Sequence, residues 1–410
     1  MGLLYDIFIV LYALAARLLS LESSKARLWV KGRKSILKKL RENINPRDEI
    51  IWFHCASLGE FEQGRPLIER IRERQPQYKI LLTFYSPSGY EVRKNYQFAD
   101  YIYYLPSDSH RQARQFFDIV NPKMIFFIKY EFWYNYINEA HKRNIPFYSV
   151  SSIFRKNQLF FKWYGKWSLK LLKTIKHFFV QNEESKQLLN AHGIDQVSIT
   201  GDTRFDRVSD IVNKIQPISL INHFRDEKFM FVCGSTWAPD EILIARLIHH
   251  YDFKIILAPH EVDEAHIEEI EHLLIGKKTI RYTNIQGVAD LQDVQVIIIN
   301  TIGLLSSLYQ YGDICYIGGG FGKGIHNILE AATFGKPIIF GPHYKKFQEA
   351  IDLINCGAAF SINIYDKLKD IFESLYNNKD LIEQCGEKAR QYVVSHTQAT
   401  EKIYRFIFQE

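Results

Sequence analysis

Two carboxylates and one guanidinium stand where this sequence could do chemistry. Glu60 follows a short apolar run, Ile50–Cys55, and a small-residue turn, Ala56-Ser57-Leu58-Gly59, with a helical pattern opening near Glu60 or Phe61. A carboxylate on such a strand-end loop can take the proton from an attacking hydroxyl, the task of a general base. Its plainer role is to complement the helix dipole, a contribution of about 0.3–1 kcal/mol. Glu131 lies in Ile128-Lys129-Tyr130-Glu131-Phe132-Trp133, just past another apolar strand. It suits a reacting centre and a structural ion pair equally well. Arg204, in Gly201-Asp202-Thr203-Arg204-Phe205-Asp206, can hold phosphate or a developing negative charge, or can pair with a neighbouring Asp.

A second group gathers in GGGFGKGIHNILEAATFGKPIIFGPHYKKFQEA. Gly318, Gly319, Gly320, Gly322 and Gly324 make a loop after a strand, and the pattern predicts a helix from His326 or Asn327. Backbone amides at a helix start favour phosphate whatever the side chains. Glu330 falls three residues beyond Asn327, on nearly the same helix face, where it can bind a ribose hydroxyl pair. The loop lacks the GK[ST] of a P-loop, so phosphoryl transfer is not expected. His54, His260, His326 and His343 are far apart in sequence and lack carboxylates at ligand spacing, so each is expected to be packed or hydrogen-bonded and no metal is expected. Ser57 has no GxSxG context for a nucleophile elbow.

These residues need strands that end beside one another. Apolar runs at Ile50–Cys55, Ile80–Tyr85, Tyr101–Leu105, Met124–Ile128, Phe147–Val150, His177–Val180 and Val197–Thr200 alternate with helical stretches such as Gly64–Arg74 and Arg111–Val120. Alternation of this kind makes βαβ units around a buried parallel sheet. Residues 208–224, with Pro217 in the middle, read as a linker. A second series follows: Phe229–Cys233, Phe253–Ala258, Val296–Asn300, Asp313–Ile317, Pro337–Phe340 and Ala358–Ile362. The expected fold is therefore α/β, two Rossmann-like doubly wound domains in tandem over 43–207 and 225–410, with strand ends facing a cleft and the last helix free to pack back on the first domain. At 410 residues two domains are also the default by size.

The N-terminal 42 residues differ in character. An apolar stretch, Leu3 to Leu19, is interrupted by Asp6 and Arg17 and is too short to span a bilayer comfortably. After it come Lys25, Arg27, Lys31, Arg33, Lys34, Lys38, Lys39 and Arg41. A signal peptide has the opposite order, so cleavage is not expected. The order suits a helix lying on an anionic membrane surface, where each basic residue contributes about 1 kcal/mol. The alternative is a helix packed on the protein with a solvated basic face. No basic groove interleaved with aromatic residues is read elsewhere, so nucleic acid is not an expected partner. The five scattered cysteines fit a reducing compartment.

Taken in order, RLWVKGRK, SLGE, YEFW, QNEES, GDTRFD, GSTW, HNILEAA and FGPHYKKFQEA resemble the 3-deoxy-D-manno-octulosonic acid (Kdo) transferases of lipopolysaccharide assembly, over nearly the whole chain. The resemblance implies a GT-B fold and inverting transfer of Kdo from CMP-Kdo to the lipid A precursor at the cytoplasmic face of the inner membrane. It implies no cofactor and no catalytic metal. It makes Glu60 the general base and places Glu131 and Arg204 in support of the transition state. Pro259, His260, Ile302, Gly303, Leu304, Asn327, Ile328, Leu329 and Glu330 match segments that contact CMP. Many relatives carry Pro-Arg at Pro259-His260, Gly-Glu at Gly303-Leu304 and Lys at Arg204, so at the first two positions this chain lacks a permanent charge. A nucleotide-sugar epimerase of the same fold, or a non-catalytic lipid- or nucleotide-binding protein, are the rival readings.

Overall fold

The computed structural model describes residues 2–129, 131–285 and 291–409. The chain divides into two compact units, Met1–Arg207 with Thr397–Glu410, and Val208–His396. The first contains β1 (Ile50–Cys55), β2 (Lys79–Phe84), β3 (Tyr101–Tyr104), β4 (Met124–Ile128), β5 (Phe147–Ser152), β6 (His177–Val180) and β7 (Val197–Ile199), all parallel, in the order β3-β2-β1-β4-β5-β6-β7. The second contains β8 (Met230–Thr236), β9 (Lys254–Pro259), β10 (Thr279–Arg281), β11 (Val296–Ile298), β12 (Ile314–Ile317), β13 (Ile338–Phe340) and β14 (Ala359–Ser361), also parallel, ordered β10-β11-β9-β8-β12-β13-β14. Strands buried on both faces are mostly apolar, which is why β1 reads IIWFHC, buried throughout with His54 as its one strongly polar side chain.

Trp52 shows how the first core is built. Its ring is fully buried, with Phe116, Phe117, Phe127 and Tyr136 at centroid distances of 4.7, 5.8, 5.1 and 5.5 Å. Its indole N–H, which a dry core would orphan, donates to Thr83 Oγ1 at 2.8 Å. The sheet is thus pinned at β1 and β2, and removing such a ring costs about 3–5 kcal/mol.

The segment 208–224 is not an extended tether. Helices Arg204–Lys214 and Ser219–Arg225 occupy most of it, and Pro217 lies between them, where its missing N–H interrupts no helix. The C-terminal helix Ala399–Phe408 packs on helix Leu58–Arg74 of the first unit. Glu401 accepts from Arg70 at 2.5 Å and Arg74 at 3.2 Å, and Gln75 donates to Tyr404 at 2.8 Å.

The N-terminal helix Gly2–Leu19 is fastened to the same unit at one end. Tyr5 donates to Asp108 at 2.6 Å, and Asn135 donates to Asp6 at 2.8 Å. Its other face leaves Phe8 60% and Leu18 71% exposed. Among the described residues, no helix is long and apolar enough to cross a membrane. Of the eight basic residues after it, seven are exposed and Arg33 is turned inward. The Arg33 guanidinium lies 4.0 Å above the Trp29 ring and donates to the Tyr85 carbonyl at 2.8 Å. Burial pushes its pKa down to about 10. Arg33 is therefore a structural cation at the end of β2 rather than part of the exposed basic face.

Candidate active site

In each doubly wound sheet the ligand end is set by topology: a crevice opens at the carboxyl ends of the strands where the strand order reverses. In the first unit that point lies between β1 and β4, and Glu60 and Glu131 follow those two strands. The helix begins at Leu58, slightly before the expected position, and Ser57 at its N-cap donates its hydroxyl to Glu60. Glu131 is in a different position. Burial, and then the charge of Glu60, push its carboxyl up to about 7, against a hydrogen bond from Trp133 that lowers it. Two neighbouring carboxylates in unlike environments are how a site divides base and acid roles at neutral pH. The backbone turns into this loop through Lys129, whose φ of 71° is in the left-handed region. Tyr130 lies outside the described residues.

His54 and Trp133 hold the loop in place. Trp133 Nε1 is 3.3 Å from His54 Nε2, and His54 Nδ1 is 2.9 Å from Thr83 Oγ1. An indole N–H can only donate, so Nε2 must accept and the proton of the neutral ring sits on Nδ1. Thr83 then accepts from both Trp52 and His54 and donates to the Phe53 carbonyl at 3.3 Å. Every polar atom in this buried chain has a partner. Burial pushes the His54 pKa down to about 3, consistent with a fixed, uncharged tautomer. From the other side, Asp108 accepts the backbone N–H groups of Asn135 at 3.2 Å and Tyr136 at 3.1 Å, at the start of helix Tyr134–Lys142.

Arg204 is held by Asp202, the Arg–Asp pair that the sequence left open. Its Nε and Nη2 lie 2.9 and 2.8 Å from Asp202 Oδ2. Burial pushes Asp202 up, but the Arg204 charge and the hydrogen bonds from Arg204 and Gln63 outweigh it and keep the carboxyl below its usual range. Gln63, one turn past Glu60, donates to Asp202 at 2.9 Å, and Thr203 donates to the Gln63 carbonyl. The helix that carries Glu60 thus also fixes the Arg204 loop. Of the supports His54, Thr83, Gln63 and Asp202, only the Asp202–Arg204 pair was open to sequence reading, because the other partners lie 29 to 140 residues apart.

In the second unit the order reverses between β8 and β12. The loops after these strands are joined by Asp240, which is fully buried. It accepts the Tyr316 hydroxyl at 2.7 Å and the backbone N–H groups of Gly319 and Trp237, each at 3.0 Å. Gly319 has φ of 86°, and a Cβ on Gly318 would overlap the Ser235 carbonyl oxygen, so both positions require glycine. Trp237 Nε1 donates to His326 Nε2 at 3.1 Å, repeating the Trp–His arrangement of the first unit. Burial, and then His260, push His326 down to about 4. The His260 ring, exposed at its edge, stacks on Trp237 at 4.7 Å and His326 at 4.4 Å.

Here the structure corrects two expectations. The helix starts at Leu329, not at His326 or Asn327, because Asn327 Oδ1 accepts the Leu329 N–H at 3.3 Å and caps the turn from outside. It is only five residues long. The amides of Gly318, Gly319, Gly322, Gly324 and His326 bond within the unit, so the loop is not a ring of open N–H donors. Asn327 donates to Glu330 at 2.9 Å, and both are half-buried. Ile328 and Leu329 are core side chains that can offer a ligand only backbone. Pro259 is buried at the end of β9. Ile302 is 89% exposed, Gly303 has open space at its Cβ position, and Leu304 precedes helix Leu305–Leu308. Among the described residues no group of three His, Cys, Asp or Glu could hold a metal ion.

Asp240→Ala would leave three donors without an acceptor. It is expected to lower unfolding stability by roughly 2–4 kcal/mol. Thermal unfolding of the variant beside the wild type would check this.

The family profile described as 3-Deoxy-D-manno-octulosonic-acid transferase (kdotransferase) matches residues 27–207. A 3-deoxy-D-manno-octulosonic acid transferase of Aquifex aeolicus is 27% identical over 368 residues, covering 87% of this chain and 94% of the relative. One from Haemophilus influenzae is 26% identical over 377 residues, covering 87% and 86%. Among solved structures, UDP-GlcNAc 2-epimerase from Neisseria meningitidis superposes with a TM-score of 0.61 at 15% identity, covering 88% of this chain and all of the epimerase. That likeness concerns the fold alone, which is GT-B: two doubly wound parallel units in tandem.

Proposed function

Because the chain belongs to the 3-deoxy-D-manno-octulosonic acid (Kdo) transferase family, we propose that it transfers Kdo from CMP-Kdo to the lipid A precursor, with inversion, at the cytoplasmic face of the inner membrane. The observation that carries this reading is the pair of unlike carboxylates at the strand reversal of the first sheet. Glu60 accepts from Ser57, and Glu131 is pushed up to about 7 by burial and by Glu60.

In the proposed step an acceptor hydroxyl oxygen bonds to the anomeric carbon. The bond from that carbon to the CMP phosphate oxygen breaks, and its electron pair leaves with CMP. The hydroxyl proton passes to the Glu60 carboxylate, a general-base contribution of about 10²–10⁴-fold. Glu131, protonated for much of the time at neutral pH, donates a hydrogen bond to the reacting centre. Arg204, aimed by Asp202, faces the developing negative charge. The leaving group departs as a stabilised anion, so the step needs neither a separate general acid nor a metal ion. In the second unit Pro259 and His260, Ile302 to Leu304, and Asn327 to Glu330 take CMP, with Ile328 and Leu329 contributing backbone. The apolar face of helix Gly2–Leu19 and the exposed lysines and arginines after it rest on anionic lipid.

The test is product mass after incubation with CMP-Kdo and tetraacylated lipid A precursor. A gain of one or more Kdo units is the expected result and also counts the additions. A folded protein that leaves the acceptor unchanged sinks the reading. An altered nucleotide sugar in the absence of acceptor would indicate an epimerase.

A further inference from the structure

The segment between β5 and β6 places two aromatic side chains in solvent that the core does not need. Phe160 and Phe161 turn inward, with ring centroids 6.4 and 6.0 Å from Phe154. The next aromatic residues face outward, Trp163 at 82% and Tyr164 at 52% exposure. This turn is built rather than loose. Gly165 N donates to the Lys162 carbonyl at 2.9 Å, Ser168 donates to the Gly165 carbonyl at 2.8 Å, and a Cβ on Gly165 would overlap the Leu159 carbonyl. An exposed, fixed Trp–Tyr pair marks a contact surface.

Its surroundings identify the partner. Residues 140–182 contain nine Lys and Arg and no Asp or Glu, and Arg155, Lys156 and Lys170 are exposed near the turn. The adjoining helix Lys166–Leu172 lies beside the N-terminal one, since the Trp167 ring is 6.2 Å from Tyr5 and 5.4 Å from Tyr134. Trp and Tyr favour the water–lipid boundary, and lysines beside them favour anionic headgroups. Trp163 and Tyr164 meet edge to face at 88°, so they do not form the parallel platform on which nucleobases stack.

We propose that the Trp163–Tyr164 turn is a second point of contact with an anionic bilayer, separate from the exposed face of helix Gly2–Leu19, and that the two contacts together fix how the first unit sits on the membrane. This rests on the membrane-facing reading above. The sequence reading passed over the segment because its aromatic residues look like core until the fold divides them into inward and outward sets.

The experiment is co-sedimentation with phosphatidylglycerol–phosphatidylethanolamine vesicles, comparing wild type, a Trp163→Ala/Tyr164→Ala variant and a Leu11→Asp/Leu18→Asp variant of the N-terminal helix. The turn variant is expected to bind at least about tenfold more weakly than wild type with an unchanged unfolding midpoint, since both side chains are exposed. Wild-type vesicle affinity in the turn variant overturns the second contact and leaves the membrane reading standing if the helix variant is impaired. A wild type that does not sediment removes both. Loss of oligonucleotide binding instead of vesicle binding would assign the turn to nucleic acid and overturn the proposal.

Discussion

Glu60→Gln is expected to lower kcat by about 10²–10⁴-fold, a loss of roughly 3–5 kcal/mol in transition-state stabilisation, with little change in KM for the donor. The amide keeps the size of the side chain and can still meet the Ser57 hydroxyl, but it cannot accept a proton from the acceptor. Donor binding should be spared, because the segments assigned to CMP lie in the other unit. A second consequence separates this assignment from one in which Glu131 is the base. The charge of Glu60 is the second cause of the raised Glu131 value, so the residual activity of Glu60→Gln should lose its alkaline limb at a lower pH than wild type does. Glu131→Gln, which imitates the protonated acid, should retain more activity than Glu60→Gln and lose that limb altogether. Wild-type turnover in Glu60→Gln, or a larger loss in Glu131→Gln, would exchange the two roles. The profile of kcat against pH for the three proteins decides between them.

What the sequence could and could not disclose follows the range of the interactions. β1, β4 and β6 were legible to the residue because strands buried on both faces are largely apolar runs. The edge strand Thr279–Arg281 was not, since its three residues are only half-buried and two of them, Thr279 and Arg281, are polar. Glu60, Glu131 and Arg204 were legible as candidates from their place after strands. Their supports were not. Asp240 serves Gly319 from 79 residues away, and Gln63 serves Asp202 from 139. Neither spacing leaves a local signature, and both residues read as ordinary polar positions on helices. Local chemistry also misled once: the apolar-periodic residues after the glycine loop suggested an early helix start, whereas Asn327 spends its side chain on the Leu329 amide and delays it. Strand ends predict where chemistry can be, and long-range hydrogen bonds decide which side chains are held there.

Glu131→Gln is also expected to stabilise the protein, and more so at pH 8 than at pH 5. The carboxyl is pushed from its ordinary 4.5 to about 7, chiefly by burial, so the folded chain holds this proton more tightly than the unfolded chain does. The stability linked to it is complete below about pH 4.5 and is lost as pH rises through about 7. The full loss is about 3 kcal/mol at 1.36 kcal/mol per pH unit. Gln carries no proton to lose, so the variant escapes that decline. The difference in Tm between variant and wild type should therefore widen by roughly 5–10 °C from pH 5 to pH 8 for a unit of this size. Taking the difference cancels the other groups that titrate in the interval, including Asp108, which burial pushes up to about 8. An equal difference at both pH values would mean that the Glu131 carboxyl is solvated or paired, and its role as a neutral donor would fall with it. A widening difference together with reduced turnover would mean that the fold gives up stability to keep a carboxyl buried beside Glu60, which is a reason for that residue that packing alone does not supply.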